Sequence, residues 1–92
     1  MRDVTNTQPA LSGEQIRDLR ERLRYNAVEF AMVMGATSES RERLRQLTKA
    51  WEDEIKTPSP GKIRLMLLLT MQEEEADVVH GYSFADLFEI EA

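Results

Sequence analysis

The chain contains no cysteine and a single histidine, His80, among its 92 residues. Disulfides and thiolate metal sites are therefore excluded, and one histidine builds neither a catalytic triad nor a zinc site. No glycine-rich phosphate loop occurs, and the many carboxylates lack a partnering His or Cys constellation. An enzyme is not expected, nor is a metal or cofactor. Long apolar runs are missing too. The stretch 65–71 is far short of the roughly 20 residues that cross a bilayer, and residues 1–10 lack the apolar stretch of a signal peptide. The expectation is a soluble cytoplasmic protein of one small domain, with no membrane association.

Basic residues are absent after Arg64, and this makes the net charge of −5 uneven. Residues 14–64 carry eleven Lys and Arg against nine Asp and Glu, whereas 73–92 carry seven acids and no base. Affinity for nucleic acid follows local basic density, because contacts to phosphates release counterions. A negative total leaves DNA binding open, although the field of the acidic end opposes approach to a polyanion.

Apolar spacing predicts an all-α bundle of four to five helices. Residues 1–11 have no periodicity and read as a flexible N-terminal arm. Ser12 with Gln15 forms a capping box, followed by Ile16, Leu19 and Leu23 at helical spacing. Asn26 with Glu29 forms a second box. Ala27, Phe30, Ala31 and Met34 make the next buried stripe, and Gly35 supplies a left-handed stop. A third helix is expected from near Ser38, with Leu44, Leu47 and Trp51 inward and Glu42, Arg45, Gln46 and Lys49 outward. Ser59-Pro60 starts a fourth helix that is apolar on two sides: Ile63, Met66 and Leu67 on one, Leu65, Leu68 and Leu69 on the other. The second stripe needs a cover, either another subunit or the chain's own tail. Ser83 with Asp86 makes another box ahead of Phe84, Leu87 and Phe88, so 76–92 reads either as an acidic amphipathic helix or as a disordered acidic tail. Tyr82 and Ile90 add apolar surface there.

Over residues 12–69 the chain resembles the small helix-turn-helix regulators of the Cro/cI (XRE) type. Phe30-Ala31 stands where that family has its Phe-Ala scaffold helix. Gly35-Ala36-Thr37 takes the place of the Gly-Val-Ser turn, Trp51-Glu52 and Pro58 match the end of the recognition element, and Arg20 sits at a basic position of the first helix. The resemblance implies a helix-turn-helix domain over 12–75. Two departures stand out. From Gly35 to Trp51 the chain is about six residues longer than the family pattern, roughly 9 Å of helix. Glu54 stands where a glycine usually follows Trp-Glu-x, which would put a carboxylate where backbone approaches phosphate.

Two functions follow as expectations. The first is a transcription regulator that binds DNA, with Ser38, Ser40, Arg41 and Arg45 for the groove and Arg43, Lys49 and Lys56 for phosphates. Against it, the same cations would form a solvated helix face partly paired with Glu39 and Glu42. The alternative is an antiactivator, a protein-binding regulator on a helix-turn-helix scaffold that sequesters a transcriptional activator and has weak or no DNA binding. Its contact residues would be Leu65, Leu68, Leu69, Phe84, Leu87 and Phe88. The same apolar residues offer surface for a homodimer.

Overall fold

A computed structural model describes residues 8–88 of the chain. These residues form an all-α bundle: α1 (Gly13–Arg22), α2 (Ala27–Val33), α3 (Arg41–Glu52), α4 (Pro60–Glu74) and α5 (Phe84–Phe88). Two short strands, β1 (Val78–Val79) and β2 (Tyr82–Ser83), pair antiparallel between α4 and α5, with Val78 opposite Ser83 and Val79 opposite Tyr82. Among the described residues no helix is long and apolar enough to cross a membrane.

Helix starts are set by side chains that satisfy the first free backbone N–H groups. At α1 the Ser12 hydroxyl accepts from the Gln15 N–H and the Gln15 side chain accepts from the Ser12 N–H. Asn26 and Glu29 do the same at α2. Ser59 caps α4 ahead of Pro60, and Ser83 with Asp86 closes the box at α5. The third helix begins later than its spacing suggests. Ser40, not Ser38, is the cap of α3 and accepts from the Arg43 N–H, while the Ser38 hydroxyl accepts from the Ser40 N–H and stays in the connection. Ser38 is thus drawn into a local turn two residues long, which competes with helix initiation.

The main core joins α1, α2, α3 and α4 through Ile16, Leu19, Phe30, Met34, Trp51, Ile63, Met66, Leu67 and Met71. Phe30 and Trp51 meet edge-to-face with ring centroids 6.2 Å apart, a favoured aromatic geometry. A smaller cluster of Val28, Ala31 and Leu44 joins α2 to the first half of α3. Two threonines are fully buried, and each is satisfied. The Thr48 hydroxyl donates to the Ala27 carbonyl at 2.7 Å, tying α3 to the start of α2, and Thr70 donates back to Met66. The buried face of α3 is therefore Leu44, Thr48 and Trp51, and Leu47 is only half-buried.

The stretch from residue 76 does not begin as a helix. It forms the β1–β2 hairpin, whose turn residues His80 and Gly81 both have positive φ (49° and 84°), as primed two-residue hairpin turns require. Val79 and Leu87 then enter the main core, and the Arg64 Nε donates to the Leu87 carbonyl at 3.1 Å. The tail covers α4: Leu65, Leu68 and Leu69 are half-buried against the core rather than left as a free stripe. Val79 and Leu87 thus supply cover from within the chain. The N-terminal segment is held as well from residue 8 on, since Pro9 is buried and Ala10 exchanges hydrogen bonds with the Tyr82 hydroxyl. Residues 1–7 of the expected arm, and Ile90, lie outside the described residues.

An ionic network ties α1 to the end of α4 and to the hairpin. Arg22 donates to Asp18 at 3.0 Å and to Glu74 at 2.9 Å, and His80 lies 2.9 Å from Asp18. Burial pushes the Asp18 carboxyl up, but hydrogen bonds from Arg22 and His80 outweigh it and hold the group below its usual 3.8. The Arg22 hydrogen bonds hold Glu74 below its usual 4.5. Both shifts are downward, so their stabilisation is present above those ordinary values and lost as pH falls through the lowered folded ones. Arg22→Met should therefore move the acid-unfolding midpoint, followed by circular dichroism, to higher pH. An unchanged midpoint would mean that the network is screened by solvent and adds nothing.

Candidate nucleic-acid interface

The exposed side of α3 is the candidate site, and three contacts set its orientation. Its buried residues dock on α2 and the core, as above. At its C-terminal end, the Glu52 carboxylate receives the Arg20 guanidinium in two contacts, Nε to Oε2 at 2.5 Å and Nη2 to Oε1 at 3.3 Å. Only 6% of the Glu52 side chain and 16% of Arg20's is exposed, and the bidentate fork is the strongest form such a pair takes. The third contact is backbone on backbone, where Gly13 at the start of α1 lies directly against the Glu52 carbonyl.

Glu54 does not do what its position leads one to expect. Its φ is 61°, the left-handed backbone that glycine favours, yet a glutamate holds it. The side chain turns back and accepts from the Gly13 N–H at 2.8 Å. The carboxylate is engaged at the positive end of α1 rather than pointing outward to repel a phosphate.

The cations divide by element. All three arginines within α1 that face solvent or the α1–α3 seam are ion-paired: Arg17 with Glu21, Arg20 with Glu52, Arg22 with Asp18 and Glu74. On α3 only Arg45 is paired, with Glu42, which also accepts from the Gln46 side chain. Arg41, Arg43 and Lys49 are exposed and have no ion-pair partner among the described residues. Lys56, in the loop after α3, is in the same state.

Ser38, Arg43 and Lys56 line one groove of about 480 Å³, floored by Leu44 and Leu47. Arg41 and Ser40 are exposed at the N-terminal end of α3, outside that groove. Arg45 and Lys49 lie on the other side of the helix. A second cleft of about 440 Å³ adjoins the first, sharing Leu47 and Lys56, and adds Ser59 and Lys62 at the start of α4. Lys62 was not among the residues singled out by sequence. Its signal was available, since it lies three residues past the Ser59 cap in the first turn of α4.

The apolar candidates separate in the same way. Phe84 and Phe88 are exposed, while Leu87 is 2% exposed and belongs to the core, so it is a structural anchor and not a contact residue. The reason is helical phase: α5 lies on the hairpin, and only one of its three large apolar residues can face α4. Leu65, Leu68 and Leu69 are half-buried.

The connection between α2 and α3 runs through residues 34–40, longer than the three or four residues of a tight helix-turn-helix turn. Gly35, with φ of 101°, ends α2 in the expected way. No protein-family model matches the chain, and neither does any curated protein or solved structure. No cluster of three or more potential metal-ligating side chains occurs among the described residues.

Proposed function

We propose that this protein is a small transcription regulator of the helix-turn-helix kind that binds DNA through the solvent side of α3. The observation that carries the reading is the uneven pairing of its cations. Arg17, Arg20 and Arg22 are engaged within the protein, whereas Arg41, Arg43, Lys49 and Lys56 stand exposed without a carboxylate partner among the described residues. Arg24, Lys62 and Arg64 also lack an ion-pair partner among the described residues, so what marks α3 and the loop after it is that they gather four of these seven cations. Unneutralised positive charge gathered in this way fits a polyanion ligand. Ser40, the cap of α3, and Ser38, two residues earlier in the connection, are close to the N-terminal end of the helix, the end that would meet base edges in this reading. Arg45 contributes less, because Glu42 holds it.

The test is binding to duplex DNA, both random and from the protein's own upstream region, across a salt series. Arg41→Ala, Arg43→Ala and Lys49→Ala should each weaken binding and each reduce the salt slope by about 1. Glu42→Gln should strengthen it by releasing Arg45. Absence of binding even at about 50 mM salt removes the DNA reading.

A second reading is favoured by a different observation. The chain carries −5 overall, and the exposed Phe84 and Phe88 lie on an element that does not contribute to the α3 surface. A regulator that sequesters an activator protein, an antiactivator, would use such a surface and would not need DNA.

A further inference from the structure

The end of α4, the hairpin and α5 present an apolar patch that nothing within the described chain covers. Phe84 is 61% exposed, Phe88 47% and Val78 56%. The two phenylalanine rings pack against each other, tilted by 43° with centroids 4.7 Å apart, forming one continuous aromatic surface rather than two isolated residues. Beside them opens a groove of about 530 Å³ lined by Leu68, Met71, Gln72, Ala76, Asp77 and Phe84. Exposed aromatics grouped against an apolar groove are costly in water, and on soluble domains they mark contact sites.

Charge restricts the occupant. No Lys or Arg occurs from residue 65 to 92, and Glu73, Glu75, Asp77 and Asp86 surround the patch in the sequence. All four are exposed. Of these only Asp77 lines the groove itself, Asp86 is tied to Ser83, and one cation, Arg64, reaches the Leu87 carbonyl of α5. The balance is still acidic and disfavours nucleic acid and anionic lipid. A second copy seated through the same patch would bring carboxylates against carboxylates, a like-charge arrangement that opposes association. What fits is a segment with apolar anchors and a cationic rim.

We propose that this patch is the docking site for a basic amphipathic helix of a partner protein, its apolar stripe lying on Phe84, Phe88 and the groove and its Lys or Arg side chains meeting Asp77 and the neighbouring acids. Helix-in-groove recognition of this kind reads anchors at i, i+3, i+4 and i+7. The inference deepens the second reading above and gives the chemistry of its partner. It does not depend on whether α3 binds DNA, because α5 and the hairpin pack on each other and on α4, and α3 packs on α2 and α1.

The experiment titrates the full isotopically labelled chain with a designed helical peptide of about five turns, bearing Leu at that spacing and Lys elsewhere. Amide shifts are followed by NMR. The expected result is saturable binding whose shifts fall on residues 68–88 and which weakens about tenfold in Phe84→Ser and in Asp77→Lys. An isomer with the same composition but its Leu residues dispersed should bind much more weakly, and a Glu-for-Lys version should not bind. Equal binding of the dispersed isomer would reduce the effect to bulk charge attraction and overturn the proposal. So would shifts centred on α3, or affinity untouched by Phe84→Ser. A chain ending at Phe88 that binds the peptide when the full chain does not would make residues 89–92 the occupant instead. Concentration-dependent dimerisation abolished by Phe84→Ser would make it a second copy. DNA binding measured on the same Phe84→Ser protein should be unchanged, so this proposal and the α3 reading fail separately.

Discussion

Gly13→Ala is expected to be one of the most damaging single substitutions in the chain, even though alanine is the better helix former by about 1 kcal/mol. A Cβ added at Gly13 would lie 2.0 Å from the Glu52 carbonyl oxygen and 2.7 Å from its carbon. Both are backbone atoms of α3, so no side chain can swing aside to make room. Helix α1 would have to back away from α3. That would loosen Ile16 and Leu19 in the core and break the Gly13 N–H bond to Glu54. Overpacking of this kind costs about 3 kcal/mol, which for a domain of this size lowers Tm by roughly 12 to 24 °C. Thermal unfolding followed by circular dichroism gives the answer directly. An alanine variant as stable as the parent would show that α1 and α3 do not approach this closely.

The second large effect is expected at the neighbouring ion pair. Glu52→Ala leaves the Arg20 guanidinium largely buried, with only its Nη1 bond to the Tyr25 carbonyl at 3.2 Å remaining. Removing one member of a buried pair costs about 3 kcal/mol or more, because the other charge is left uncompensated. The double replacement Arg20→Met with Glu52→Leu should recover most of that loss, since apolar side chains of similar size need no partner. Chemical denaturation of the parent and these two variants separates the cases. A loss below about 1 kcal/mol in Glu52→Ala would place the pair among solvent-screened surface bridges.

The parts of this fold that were legible in the sequence are those whose cause is local. Ser12 with Gln15, Asn26 with Glu29, and Ser83 with Asp86 act over three residues, so each box announces its helix start without knowledge of the rest. The stripe of Phe30, Ala31 and Met34 and the stop at Gly35 are legible for the same reason. Long-range effects are not. The inward stripe of Leu44, Leu47 and Trp51 does not include Thr48, whose burial depends on the Ala27 carbonyl lying across from it. Glu54 reads as a carboxylate facing outward, because its partner, the Gly13 N–H, is 41 residues away. The hairpin was missed because two-residue strands show no alternation. Gly81 is the only local hint, because His80-Gly81 is not one of the Asn-Gly, Asp-Gly or Gly-Gly pairs that announce such a turn. For the candidate site, the exposure of Arg41, Arg43 and Lys49 followed from helical phase, whereas the Arg45–Glu42 pairing was one of two alternatives that phase alone leaves open.

The two separate apolar clusters divide α3 into unequal halves. Its later half is wedged by Trp51 into the large cluster, but the turn bearing Arg41 and Arg43 rests through Leu44 on Val28 and Ala31, with Ala36 and Leu47 half-buried beside them. Segments with few buried neighbours open at lower free energy than the body of a domain. The leading end of the helix is therefore expected to open before its far end, which amide hydrogen exchange along α3 would show.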